Sequence, residues 1–124
     1  MKKSVFVKGL KDRTKRFSLD IIMFYPFIEK SEPGKIIGKQ LIRSATSIAA
    51  NYRSACVGRS RREFFAKISI VVEEADETLF WLELLKESEL AKEDKLKYLM
   101  MESLEILKIM SKAKSTMFAV NKKD

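Results

Sequence analysis

Three features of this chain have chemistry to offer: a pair of carboxylates one helical turn apart, Glu74 and Glu77; one thiol, Cys56; and the guanidinium cluster Arg53, Arg59, Arg61 and Arg62. A di-iron carboxylate bundle needs Glu-x-x-His on each of two helices, and the sequence contains no His. With one Cys and no imidazole, a zinc site fails at the ligand count. The same absence removes Ser-His and Cys-His nucleophile arrangements, and no Gly-rich phosphate loop is present. Glu74 and Glu77 are therefore read as structural carboxylates, with no metal and no cofactor expected. Cys56 has no second cysteine to pair with, so nothing indicates an oxidising compartment, and on an apolar helix face it reads as a small inert thiol. The sequence predicts a protein that is not an enzyme.

The arginines offer phosphate recognition, since a guanidinium presents paired donors to an anion. The 124-residue chain carries a formal charge of +8, unevenly spread: residues 71–94 hold nine acids against Lys86 and Lys92, a local charge of −7 that leaves +15 on the rest. Between Met1 and Arg16 there are seven Lys or Arg and only Asp12 to oppose them. Arg13, Lys15 and Arg16, with Arg53, Arg59, Arg61 and Arg62, are thus candidate contacts to RNA or DNA. No aromatic residue is interleaved with the arginines, which argues against base stacking. An acidic protein partner is the competing reading of the same charge. No run approaches the ~20 apolar residues of a membrane span, and the basic start has no apolar segment behind it, so a cytoplasmic protein with no membrane partner is expected.

Long helices must position these groups, because only four Gly and two Pro punctuate the chain. Residues 1–11 read as a loose basic arm, and a first helix is predicted from about Asp12 to Ile28, with Pro26 ending or kinking it. Ser31-Glu32-Pro33-Gly34 reads as a turn. In the second helix, about Lys35 to Val57, Leu41, Ala45, Ile48, Tyr52 and Ala55 step by 4, 3, 4 and 3 and share one face. Beside them Gln40, Ser44, Ser47, Asn51, Ser54 and Gly58 form a second, small and polar stripe. Gly58 ends this helix, and Ser60-Arg61-Arg62-Glu63 opens the third with a capping-box pattern. The third helix carries Phe65, Ile68, Val72, Ala75, Leu79 and Leu82 on its core face, beside Glu63, Lys67, Ile70, Glu74, Glu77 and Trp81. Phe64, Phe65, Phe80 and Trp81 are assigned to the core or an interface. A fourth helix is predicted from about Lys92 to Met117, with residues 118–124 as a tail. Helices above ~20 residues fit a bundle hairpin better than a compact DNA-reading helix-turn-helix. Short connections make neighbours antiparallel, so the expected fold is all-α: one domain, 1–124, an up-down-up-down antiparallel four-helix bundle.

The run from Gln40 to Arg53, QLIRSATSIAANYR, resembles the signature of the 23S rRNA-intervening-sequence protein family. The similarity continues through Ser60, Glu63-Phe64, Lys67, the stretch Glu74 to Leu82, Glu102 and the stretch Leu104 to Ser111, so that it covers about residues 10–118. Ser54 stands where the family pattern has Glu, and Glu73 where Lys is common. The resemblance implies a four-helix bundle that assembles into a homo-oligomer, a pentameric ring. It also implies kinship with accessory proteins of diversity-generating retroelements, which associate with nucleic acid and a reverse transcriptase. It supplies no catalytic residues. In its light the polar stripes become an interface: Arg43, Ser44, Ser47 and Asn51 are expected to meet Lys67, Glu74, Glu77 and Trp81, within a subunit or between subunits. Breaking such a pair costs about 3–5 kcal/mol where it is fully buried. The function expected is a non-enzymatic oligomer that binds nucleic acid through repeated basic patches; the alternative is a scaffold that docks an acidic protein.

Overall fold

The computed structural model describes the backbone of residues 3–123 and the side chains of residues 6–116. Its four helices are α1 (Lys3–Phe24), α2 (Glu32–Cys56), α3 (Arg61–Glu87) and α4 (Asp94–Lys123), with a 3-10 turn at Tyr25–Phe27 after α1. Sequential helices pack against one another, and a thinner α1–α4 seam closes the bundle. Side-chain pairings fix the directions. Ser18 reaches Ala45 while Lys11 faces Arg53, and Ser44 meets Thr78 while Ala55 lies beside Phe64, so α1–α2 and α2–α3 both run antiparallel. Arg13 meets Glu102 while Leu10 lies beside Ile109, which gives α1 and α4 the same relation. The expected up-down-up-down bundle is the fold.

The helix ends follow from local chemistry. Pro26 has no N–H to donate, and the α-helical pattern stops at Phe24, the residue before the 3-10 turn. Ser31 caps α2: its Oγ accepts the Gly34 amide at 3.1 Å, and Pro33 occupies the first turn, where its missing N–H costs nothing. The segment Ser31–Gly34, expected as a turn, is therefore cap and first turn of α2. The predicted capping box at α3 forms. Ser60 Oγ accepts the Glu63 amide at 3.1 Å, and the Glu63 carboxylate turns back to accept the Arg59 amide. α3 ends in a Schellman motif, with the Leu90 amide on the Leu85 carbonyl and the Glu89 amide on the Lys86 carbonyl, both at 3.1 Å. Glu89 takes the left-handed conformation this requires, at φ 59°.

The α2 face read from the sequence, Leu41, Ala45, Ile48, Tyr52 and Ala55, is buried in full. It packs with Phe17, Ile21 and Phe24 of α1, Ile68, Leu82 and Leu85 of α3, and Leu99, Ile106 and Met110 of α4. Each large side chain withdrawn this way contributes about 1.5–3 kcal/mol.

Three expectations change. The core stripe of α3 is Ile68, Val71, Ala75, Thr78, Leu82 and Leu85, rotated from the predicted one, so Val72, Leu79 and Phe65 are only half-buried. Thr78 is accepted inside because its hydroxyl lies 2.8 Å from that of Ser44 and 2.7 Å from the Glu74 carbonyl, which satisfies both side chains. The segment read as a loose arm is helical from Lys3, and Leu10, one turn before Thr14, carries the buried stripe of α1 past Asp12 towards the N-terminus. The segment read as a tail is also helical, as far as Lys123, while Asp124, at its end, lies outside the described residues.

Candidate functional site

α1 and α3 begin, and α2 and α4 end, at the same pole of the bundle, and each brings basic residues there. Lys11 and Lys15 come from α1, Arg53 from α2, Arg59, Arg61 and Arg62 from the α2–α3 connection, and Lys112 and Lys114 from α4; the opposing acids there are Asp12 and Glu63. The other pole holds the α1–α2 and α3–α4 connections, where Glu83, Glu87, Glu89, Glu93 and Asp94 stand among Lys30, Lys35, Lys86, Lys92, Lys95 and Lys97, so that acids and bases nearly balance. The excess positive charge of the sequence thus gathers at one end, and this gives the bundle a polar axis.

Two concavities lie at the basic pole. The first, about 510 Å³, is a cleft between α1 and α2 lined by Lys11, Lys15 and Arg53, with Asp12 at one side and the small residues Ser18 and Ala49 among its walls. The second, about 900 Å³, opens where all four helices end; Leu10, Tyr52, Phe64 and Ile109 form its apolar wall, with the exposed Arg59, Arg61 and Lys112 also lining it. Cys56 lines this second pocket and is half-buried. Burial and the neighbouring Cys56 thiol one turn along push the Tyr52 phenol well above its usual range.

The predicted contacts separate into two groups. Lys15 and Arg53 line the first cleft, Arg59 and Arg61 the second, and Arg62 is exposed beside them. Arg13 is placed elsewhere. It crosses the α1–α4 seam to grip Glu102 with Nε–Oε2 2.8 Å and Nη2–Oε1 2.7 Å, a bidentate pair. The hydrogen bond to Glu102 raises the Arg13 pKa further above its ordinary value. Arg16 stays at the surface, its Nε 3.4 Å from the buried Asp20 carboxylate. Lys11 and Lys112 belong to the two concavities and were missed in the sequence reading. Lys11 lies one turn before Lys15, a signal visible in the chain, whereas Lys112 is placed only by the closing of α4 onto the pole.

The polar stripes meet in part, and they do so within the subunit. Arg43 binds Glu74 through Nη1 at 2.9 Å, Glu77 through Nη2, and Gln40 through Nε at 3.1 Å. Ser44 meets Thr78, while Asn51 turns back along α2 to Ser47 Oγ at 2.9 Å. Lys67 is half-buried and forms no ion pair among the described residues. Trp81 packs on the core and edge-on against Phe80, ring centroids 5.2 Å apart, and Phe80 is exposed. Glu74 and Glu77 thus hold Arg43 across the α2–α3 seam. Among the described residues no cluster of His, Cys, Asp or Glu has the arrangement of a metal site, and no helix is long and apolar enough to cross a membrane.

No protein with a curated description matches this sequence. The chain is similar to a protein of unknown function from the S23 ribosomal protein family of Bacteroides thetaiotaomicron, known from its crystal structure. The two are 33% identical with a TM-score of 0.79, over 88% of this chain and 97% of that one. Residues 10–112 match the family described as 23S rRNA-intervening sequence protein. With most of its length inside that match and a structural neighbour at this identity, the chain belongs to the 23S rRNA-intervening sequence protein family.

Proposed function

We propose that this protein is a non-enzymatic, self-associating bundle that binds nucleic acid through the phosphates that meet its basic pole. The observation that carries the reading is the convergence of Lys11, Lys15, Arg53, Arg59, Arg61, Arg62 and Lys112 from four helices onto one end of the molecule. Most of these are exposed, with Asp12 and Glu63 as the acids among them. A surface of this kind attracts a polyanion by release of its counterions, and the affinity falls steeply with salt. The α1–α2 cleft, with small side chains among its walls, lets a phosphate backbone approach Lys15 and Arg53 closely.

Self-association is supported by exposed apolar side chains outside the core: Leu19, Ile22 and Met23 on α1, and Tyr98, Met101 and Leu104 on α4. A ring of five, as the resemblance implies, would repeat the pole five times and let weak phosphate contacts sum by avidity. Mass in solution tests the assembly.

The binding test is a salt series on nuclease-treated protein with structured RNA and duplex DNA, alongside the Arg59/Arg61/Arg62→Ala variant. The log–log salt slope is expected to be steep and to flatten in the variant by about 0.7–0.9 for each phosphate that is no longer neutralised. Absence of binding to either polymer at low salt overturns the proposal, and partner capture insensitive to nuclease would then identify a protein scaffold.

A further inference from the structure

The second concavity has a character that phosphate binding alone leaves unused. Its floor is apolar, from the buried Leu10 and Tyr52, and its wall is formed by the half-buried Phe64 and Ile109 with the half-exposed Phe6, so Phe6 and Phe64 offer the accessible rings. Its cations, Arg59, Arg61 and Lys112, are exposed, so they stand where the pocket meets solvent. At about 900 Å³ it lies in the size range of ligand sites. In the sequence no aromatic lies between Arg59 and Arg62, although Tyr52 precedes Arg53 and Phe64 follows Glu63; in the fold, Phe6 of α1 joins Phe64 in the same pocket as Arg59 and Arg61.

We infer that this pocket receives an unstacked base from a single-stranded segment of nucleic acid, while Arg59, Arg61 and Lys112 take the flanking phosphates. The inference rests on the basic-pole reading and narrows it to unpaired strands. The chemistry is complementary at both levels: an apolar, π-faced group enters an apolar, aromatic wall, and its anionic linkages meet the surrounding cations. A base inside a duplex offers only its edges and cannot enter without being extruded, which costs unstacking and unpairing.

The chain's single cysteine reports directly on occupancy, because Cys56 lines the pocket. The experiment measures alkylation of Cys56 by N-ethylmaleimide, an uncharged reagent, in the full-length wild-type protein. The probes are a single-stranded 12-mer RNA, its DNA equivalent, the same 12-mers with abasic sites, a duplex, polyphosphate and dodecanoate. Binding is followed in parallel by anisotropy. The single strands should bind about 5- to 150-fold more tightly than the duplex, the range of one stacked base. They should also slow alkylation at least fivefold, whereas abasic strands and polyphosphate leave it unchanged. Phe64→Ala should remove the single-strand preference and keep the salt slope.

Equal binding of duplex and single strand with unchanged alkylation overturns the pocket inference and leaves the basic-pole reading standing. Protection by polyphosphate equal to that by the oligonucleotide overturns it as well. Protection by dodecanoate alone assigns the pocket to an acyl ligand and also overturns it. Absence of any nucleic-acid binding overturns both readings.

Discussion

The Arg13–Glu102 pair allows a quantitative test of how the bundle is closed. The α1–α4 seam is the thinnest between neighbouring helices, and across it Arg13 places two charge-assisted hydrogen bonds on one carboxylate. Exposed ion pairs contribute about 0.2–1 kcal/mol, and hydrogen bonds to charged groups in mutational series about 1.5–3. The Arg13 side chain is 37% exposed and that of Glu102 17%, so the pair lies between those limits. A coupling of about 1.5 kcal/mol follows. At about 4 °C per kcal/mol for a domain of this size, that interaction accounts for roughly 6 °C of melting temperature. The assay is a double-mutant cycle of Arg13→Ala and Glu102→Gln, each unfolded in urea and followed by helical circular dichroism. Protein concentration is held fixed because assembly would otherwise shift the midpoint. Arg13→Lys keeps the charge without the fork, and should recover less than half of the stability that Arg13→Ala removes. A coupling within about 0.4 kcal/mol of zero, the additivity limit for independent sites, refutes the argument. The same variants separate structure from binding: below its melting temperature Arg13→Ala should keep the wild-type salt slope for nucleic acid, whereas Lys15→Ala should flatten it.

Further expectations concern the backbone and alkaline pH. Gly9 lies inside α1 with open space around its Cα, so Gly9→Ala should stabilise by about 0.5–1 kcal/mol, read from the urea midpoint; no change would restore the loose arm. A Cβ at Gly34 would collide with the Ile28 carbonyl, so Gly34→Ala should destabilise by about 2 kcal/mol or more, a core-scale effect; a neutral result would refute the close approach. Glu89→Gly relieves a left-handed residue at a cost in chain entropy and should gain up to about 1 kcal/mol in the same assay. The folded-state pKa of Tyr52 is raised above the ordinary 10.0. Its contribution is therefore intact below pH 10 and declines as the pH rises from there towards the folded value, because the unfolded chain ionises first. Tyr52→Phe should flatten the alkaline limb of stability against pH.

What could be read from the sequence was local. The face of α2 and the Ser60–Glu63 cap depend on spacings of three and four, and both stand in the fold. The stripe of α3 was misjudged because hydropathy prefers Leu79 to Thr78, and only the facing Ser44 hydroxyl makes Thr78 an interior residue. Arg13 looked like a phosphate contact because its neutralising partner lies 89 residues away in the chain. Phe6 was invisible as a neighbour of Arg59 and Arg61 for the same reason: it is more than 50 residues from them in the chain and joins them only where the helix ends converge. Arg43 with Glu74 and Glu77 was found as a set, although at 47% exposure Arg43 sits nearer the surface than a fully buried pair requires.

The polar axis of the bundle has a source worth separating from the helices themselves. In four antiparallel helices two macrodipoles point each way and nearly cancel, so the asymmetry belongs to side chains alone. Those side chains stand at helix ends and in connections, outside the packed stripes of the core. The pole can therefore be rewritten charge by charge with little effect on the fold, while the core cannot. A bundle organised like this keeps its packed core and its surface charge in separate sets of residues. Reversing the charge of that pole then requires only surface substitutions at one end, each within about 0.5 kcal/mol of neutral for stability.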